Sequence, residues 1–68
     1  MNEIKLTQLF TIEEIIVIVK ALDHYRSYPL LKAKSYRITS DTEHKVRQLI
    51  DKLSNNEKKE LMEKRYLV

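Results

Sequence analysis

The chain contains no glycine. Only a residue without Cβ takes positive φ freely or lets backbone approach a phosphate closely. Phosphate-binding loops and dinucleotide-binding turns are therefore excluded. Two-residue Asn-Gly and Asp-Gly hairpins are excluded too, which argues against an all-β fold. Cysteine is also missing, so neither a disulfide framework nor a thiolate metal site can staple the fold. The 68 residues make one domain, and a domain of this size buries only about 60% of its unfolded surface. Self-association or docking on a partner is the remaining route to stability.

Thirteen basic and ten acidic residues give a net charge of +3. That is compatible with nucleic acid without pointing to it. The longest apolar run, residues 15–19, is too short to span a bilayer, and Glu13, Glu14 and Lys20 flank it. The first residues lack the basic-then-apolar order of a signal peptide. A cytoplasmic chain with no membrane contact is expected.

Three Ser/Thr-x-x-Glu patterns punctuate the sequence: Thr11 with Glu14, Ser40 with Glu43, and Ser54 with Glu57. Each reads as a capping box, in which the hydroxyl accepts from the backbone three residues on and the glutamate reaches back to the cap. They predict a first helix over residues 11–28, a second over 41–54 and a short third over 55–66. Phe10 and Ile15 have the spacing of a hydrophobic staple. Tyr28 precedes Pro29 and ends the first helix. Residues 15–19 are β-branched throughout and would favour a strand on propensity alone. The cap, the acidic first turn and the longer period overrule that.

At about 100° per residue, Ile12, Ile15, Ile18, Val19, Leu22 and Tyr25 form one stripe of the first helix. Glu13, Lys20 and His24 lie opposite. Ile16 falls at the edge of the stripe and Val17 on the polar side. The second helix has a narrower face of Val46, Leu49, Ile50 and Leu53. Its pairs Asp41–Lys45 and Glu43–Arg47 are acid-first and read as exposed. The third helix has little apolar content beyond Leu61 and Met62. Residues 3–7 and 36–38 alternate weakly and read as extended arms, with a small strand pair as the alternative. The fold class expected is all-α: an antiparallel helical hairpin with a short third helix, dimerising into a helical bundle.

Residues 29–40 read as a connector, and from His24 to Ser40 no acidic residue occurs. Arg26, Lys32, Lys34 and Arg37 alternate there with Tyr25, Tyr28 and Tyr36. Cations neutralise phosphates and aromatic rings stack on bases, so this is a candidate contact for nucleic acid or an acidic protein. The plainer reading is a solvated linker whose tyrosines cap the core. The second and third helices have helix-turn-helix spacing, but Glu57, Glu60 and Glu63 would face phosphates. His24 and His44 have acidic neighbours, yet nothing in the spacing gathers the three or four ligands a zinc site needs. No cofactor and no catalytic residue is expected, because nucleophile, base and oxyanion donors must converge in a pocket that a hairpin this small hardly encloses.

The apolar surface of the first helix exceeds what one partner helix covers. Ile16 and Val17 lie beyond it. Either a second copy or another protein packs there, or the N-terminal arm lies over them through Ile4, Leu6 and Leu9. The partner-binding candidates are thus Ile16, Val17, Lys20, Arg26, Tyr28, Lys32, Lys34, Tyr36 and Arg37.

Residues 10–14 (Phe-Thr-Ile-Glu-Glu), 21–25 (Ala-Leu-Asp-His-Tyr) and 49–53 (Leu-Ile-Asp-Lys-Leu) resemble a helical hairpin of small, mostly uncharacterised proteins of phages and prophages of Gram-positive bacteria. The likeness spans roughly residues 9–54 and rests on packing and capping residues. It implies an accessory protein that binds a host or phage protein, and it carries over no catalytic residue. The expectation is a non-enzymatic, homodimeric protein-binding module. The alternative is a small nucleic-acid-binding protein.

Overall fold

The computed structural model describes residues 4–66, and these form helices and turns without a strand. The helices are α1 (Leu6–Leu9), α2 (Ile12–Arg26), α3 (Ala33–Asp51) and α4 (Asn55–Lys64).

Two of the three capping boxes form. The Thr11 backbone N–H donates to Glu14 Oε1 at 2.9 Å, and Glu14 N–H donates to Thr11 Oγ1 at 3.1 Å. Ser54 and Glu57 make the same exchange at 3.0 and 3.2 Å. The third does not form, because Ser40 lies inside α3. No glycine or proline interrupts the chain after Pro29, so the helix extends back to a start at Lys32. Two β-branched residues fit this early half through their hydroxyls. Thr39 Oγ1 donates to the Ser35 carbonyl at 2.7 Å, and Thr42 Oγ1 to the Ile38 carbonyl at 2.8 Å. The expected connector over residues 29–40 therefore shrinks to residues 27–32, and residues 36–38 are helical rather than extended. The turn has Pro29 at its second position, where a fixed φ fits, and Leu31 N–H closes it on the Tyr28 carbonyl at 3.2 Å.

The N-terminal arm is not extended either. Its described part carries the single turn α1, in which Lys5 N–H donates to the Gln8 side chain at 2.9 Å. Residue 3 lies outside the described residues.

The core is Leu6, Ile12, Ile15, Ile16 and Leu53, with Leu49, Ile50 and Leu61 packed against it. Each buried aliphatic side chain contributes about 1.5–3 kcal/mol. The Cα trace is a slab of 38 × 35 × 16 Å, too thin to enclose a helix on all sides. α2 is the helix packed by both α3 and α4. That double packing buries Ile16, which is 3% exposed and not at an uncovered edge as expected. The third helix is thus part of the core packing. Leu61 sits against the core, Lys64 is ion-paired with Glu13 of α2, and Thr7 of α1 hydrogen-bonds Glu57.

Candidate functional site

Centring the buried face of α2 on Ile12, Ile15, Ile16 and Val19 leaves a second apolar strip. At helical spacing it holds Val17, Ile18, Ala21 and Tyr25. Val17 is 52% exposed and Tyr25 50%, so Tyr25 leaves the core stripe in which its spacing placed it. Ile18 is half-buried and Ala21 exposed. Phe10, just ahead of the Thr11 cap, continues the strip. With Glu13, Glu14, Val17 and Ile18 it lines a shallow depression of about 310 Å³. Phe10, Ile18, Ala21 and Tyr25 were missed as surface residues because the stripe was centred on Ile15. The true centre lies toward Val19, where α4 packs.

The opposite flank of α2 faces a groove between α2, α3 and α4 of about 390 Å³. Its floor includes Ile16, Val19, Ile50 and Leu61, and Lys20 and Arg65 stand among its lining. Lys20 lines this groove while Val17 lies on the strip, although the two are adjacent at i,i+3 spacing on the surface of α2.

Farther along the α2–α3 seam sits a charge cluster of which the sequence showed only the Glu43–Arg47 pair, read there as exposed. Glu43 is 3% exposed. Its Oε1 is 3.4 Å from Arg26 and 3.1 Å from Arg47, and Arg47 also lies 3.7 Å from Asp23. Arg26 pairs with Asp23 at 3.4 Å. The Glu43–Arg47 pair forms as its spacing requires, but at the helix interface and not in solvent. Glu43 Oε2 is buried without a hydrogen-bond partner, an arrangement that costs free energy in a native protein. The available signal was position: Glu43 precedes Val46 and Ile50 by three and seven residues, which puts it on their face.

Arg26, Tyr28, Tyr36 and Arg37 do come together. They line an open depression of about 690 Å³ at the α2–α3 turn, together with Asp41. Lys32 is the N-cap position of α3 and Lys34 an exposed residue of its first turn. Neither lines the depression. Arg26 is already committed to Asp23 and Glu43, which leaves Arg37 as the more available cation there.

Among the described residues three groups have displaced pKa values, all at helix contacts. The Lys64 hydrogen bond holds the Glu13 carboxyl below its ordinary value, and the same bond raises Lys64. A hydrogen bond from Thr7, then the Ser54 backbone N–H, lowers Glu57. They fasten α4 to its neighbours and do not converge on a cavity. Among the described residues no three His, Cys, Asp or Glu side chains gather as metal ligands. No described helix is long and apolar enough to cross a membrane. Compared with protein-family models, curated proteins and solved structures, the chain matches none.

Proposed function

We propose that this chain is a non-enzymatic protein-binding module whose contact surface is the outer flank of α2. One observation carries the reading. Apolar side chains recur at helical spacing on the solvent side of a helix whose other side is already packed by α3 and α4. Intramolecular packing therefore accounts for Ile16 but leaves Val17 and Tyr25 uncovered. A contiguous apolar strip on a small charged protein is the usual mark of a protein contact. The α2–α3 pair is read as an antiparallel hairpin. In its support, Arg26 pairs with Glu43 and Asp23 with Arg47, so positions on one helix rise as those on the other fall. The resemblance to small phage and prophage proteins adds a context, a cytoplasmic accessory protein acting on a host or phage protein. The dimer expected from the sequence is one form such binding takes.

The test is affinity capture from a Gram-positive lysate with the wild-type chain and with Val17→Lys. A protein retained by the first and lost by the second supports the reading. Equal capture by both overturns the α2 flank as the surface.

A second reading, nucleic-acid binding, is favoured by the meeting of Arg26, Arg37, Tyr28 and Tyr36 at one depression. It predicts a gel shift with single-stranded probes that weakens steeply with salt. It fails if no complex forms at low salt, or if Arg37→Ala leaves the shift unchanged.

A further inference from the structure

We infer that α4 is a latched flap, which lifts from α2 and unravels as a unit of its own while α1, α2 and α3 stay folded. This holds whether or not the flank of α2 binds a protein.

Little apolar contact holds α4 down. None of its residues, Asn55–Lys64, is buried. Leu61 is partly buried against the core, and Met62 is 55% exposed. The five buried core side chains, Leu6, Ile12, Ile15, Ile16 and Leu53, all come from outside α4, so they remain together when it leaves. The seam is also open. A groove of about 390 Å³ runs between α2, α3 and α4, and Ile16, Val19, Ile50 and Leu61 line it. Apolar stabilisation scales with the area removed from water, and here part of that area is still wet.

The other fastenings are polar and stand in solvent. Lys64 pairs with Glu13 of α2, their side chains 36% and 48% exposed. Thr7 of α1 hydrogen-bonds Glu57. Exposed ion pairs are individually weak, and salt screens them. The Lys64–Glu60 pair and the Ser54–Glu57 capping box lie within α4 and its cap, so they tie it to no other helix.

Length makes release and unravelling one event. α4 has 10 residues, and an isolated helix shorter than about 12–15 residues is marginal in water. The hinge is set by Leu53, which is 5% exposed and whose N–H donates to the Ile50 carbonyl at 3.0 Å. It pins the end of α3, so the motion begins at Ser54. Segments with few buried apolar contacts and exposed anchors open below the global unfolding free energy. Opening removes the cover that α4 gives Ile16 and Val19, and α2 then shows apolar surface on both sides of Val17.

Native-state hydrogen exchange of the full chain, followed amide by amide by NMR, tests this. Corrected for intrinsic rates, residues 58–64 should share one opening and exchange at least about tenfold faster than residues 16–22. Glu13→Gln should speed exchange in α4 about two- to five-fold and leave residues 40–50 unchanged. Added sodium chloride should act on α4 in the same sense, and Leu61→Ala more strongly. Exchange of α4 at the rate of α2, or variants that speed all helices alike, would show one cooperative unit and overturn the inference. Fast exchange confined to the residues nearest 64, with residues 58–60 as slow as α2, is end fraying and overturns it too. Unchanged α4 exchange in Glu13→Gln overturns the latch.

Discussion

Replacing Glu43 by methionine should leave the fold as stable as before or make it more stable, although it deletes a carboxylate with three short polar contacts. The Glu43 side chain is 4% exposed, whereas Arg26 and Arg47 are 39% and 55% exposed. Taking a carboxylate out of water costs several kcal/mol even after relaxation. One oxygen recovers part of this from the two guanidinium groups, and those contacts are weakened because their cationic partners are half in solvent. The other oxygen recovers nothing, and an unsatisfied buried acceptor costs about 1–3 kcal/mol. With methionine in place, the arginines return to water and an unbranched apolar chain fills the space. The expected change is a gain of about 0–2 kcal/mol, or roughly 0–14 °C in melting temperature for a domain of this size. The reverse experiment is not symmetric. Arg26→Met with Arg47→Met strips the buried carboxylate of its cations and should cost about 3–5 kcal/mol, enough to unfold much of the population. Urea and thermal melts followed by far-UV circular dichroism measure both. If Glu43→Met destabilises the protein as much as the double arginine variant does, the carboxylate is a net stabiliser and the reasoning is wrong.

Adjacent residues on α2 should behave oppositely in thermal melts: Ile16→Lys prevents folding, whereas Val17→Lys leaves the melting temperature of the single chain where it was. Ile15 is 1% exposed, and Ile15→Ala should lose about 2–5 kcal/mol in urea titrations. Thr11→Ala should cost about 1 kcal/mol as a lost cap, while Ser40→Ala, inside α3, should stay within about 0.5 kcal/mol. The pH dependence follows from the contacts of α4. Glu13 and Glu57 lie below 4.5 in the folded chain, so their contribution is present above that pH and is lost as pH falls through the lowered values. Lys64 lies above 10.5, so its contribution is present below that pH and is lost as pH rises through the raised value. Melting temperature should fall at both extremes, and Glu13→Gln should flatten the alkaline fall.

The helical class and the starts of α2 and α4 were legible because Thr11 and Ser54 each follow residues that do not continue a helix. Ser40 carries the same local pattern and was misread, because nothing between Leu30 and Ser40 halts a helix growing backward. A capping pattern specifies a start only where the preceding residues leave the helical region. The third helix was undervalued for a related reason. Its apolar count is low, yet Leu61 alone, steered by the Lys64–Glu13 and Thr7–Glu57 contacts, suffices to seat it on α2. Those contacts join residues far apart in the sequence, and local periodicity carries no trace of them. The same holds for Ile16, whose burial depends on where α4 lands. Val17 was correctly placed in solvent because its neighbours one turn away, Glu13, Glu14, Lys20 and Ala21, all lie on the exposed side of α2. The cluster at Glu43 was hidden by composition: an acid is assigned to solvent unless its register is followed through Val46 and Ile50.

None of the described residues adopts positive φ. The helices end at Ser27 and Lys52 in right-handed conformation, so both corners are built from geometry that any ordinary residue can occupy. No corner depends on one irreplaceable amino acid. The turn at residues 27–32 is therefore a tolerant splice point. Foreign segments, epitope tags or fluorophore sites can be installed there without touching the helices. Diversity can also accumulate there at little cost to folding, beside a flank of α2 whose pattern is held by the packing behind it.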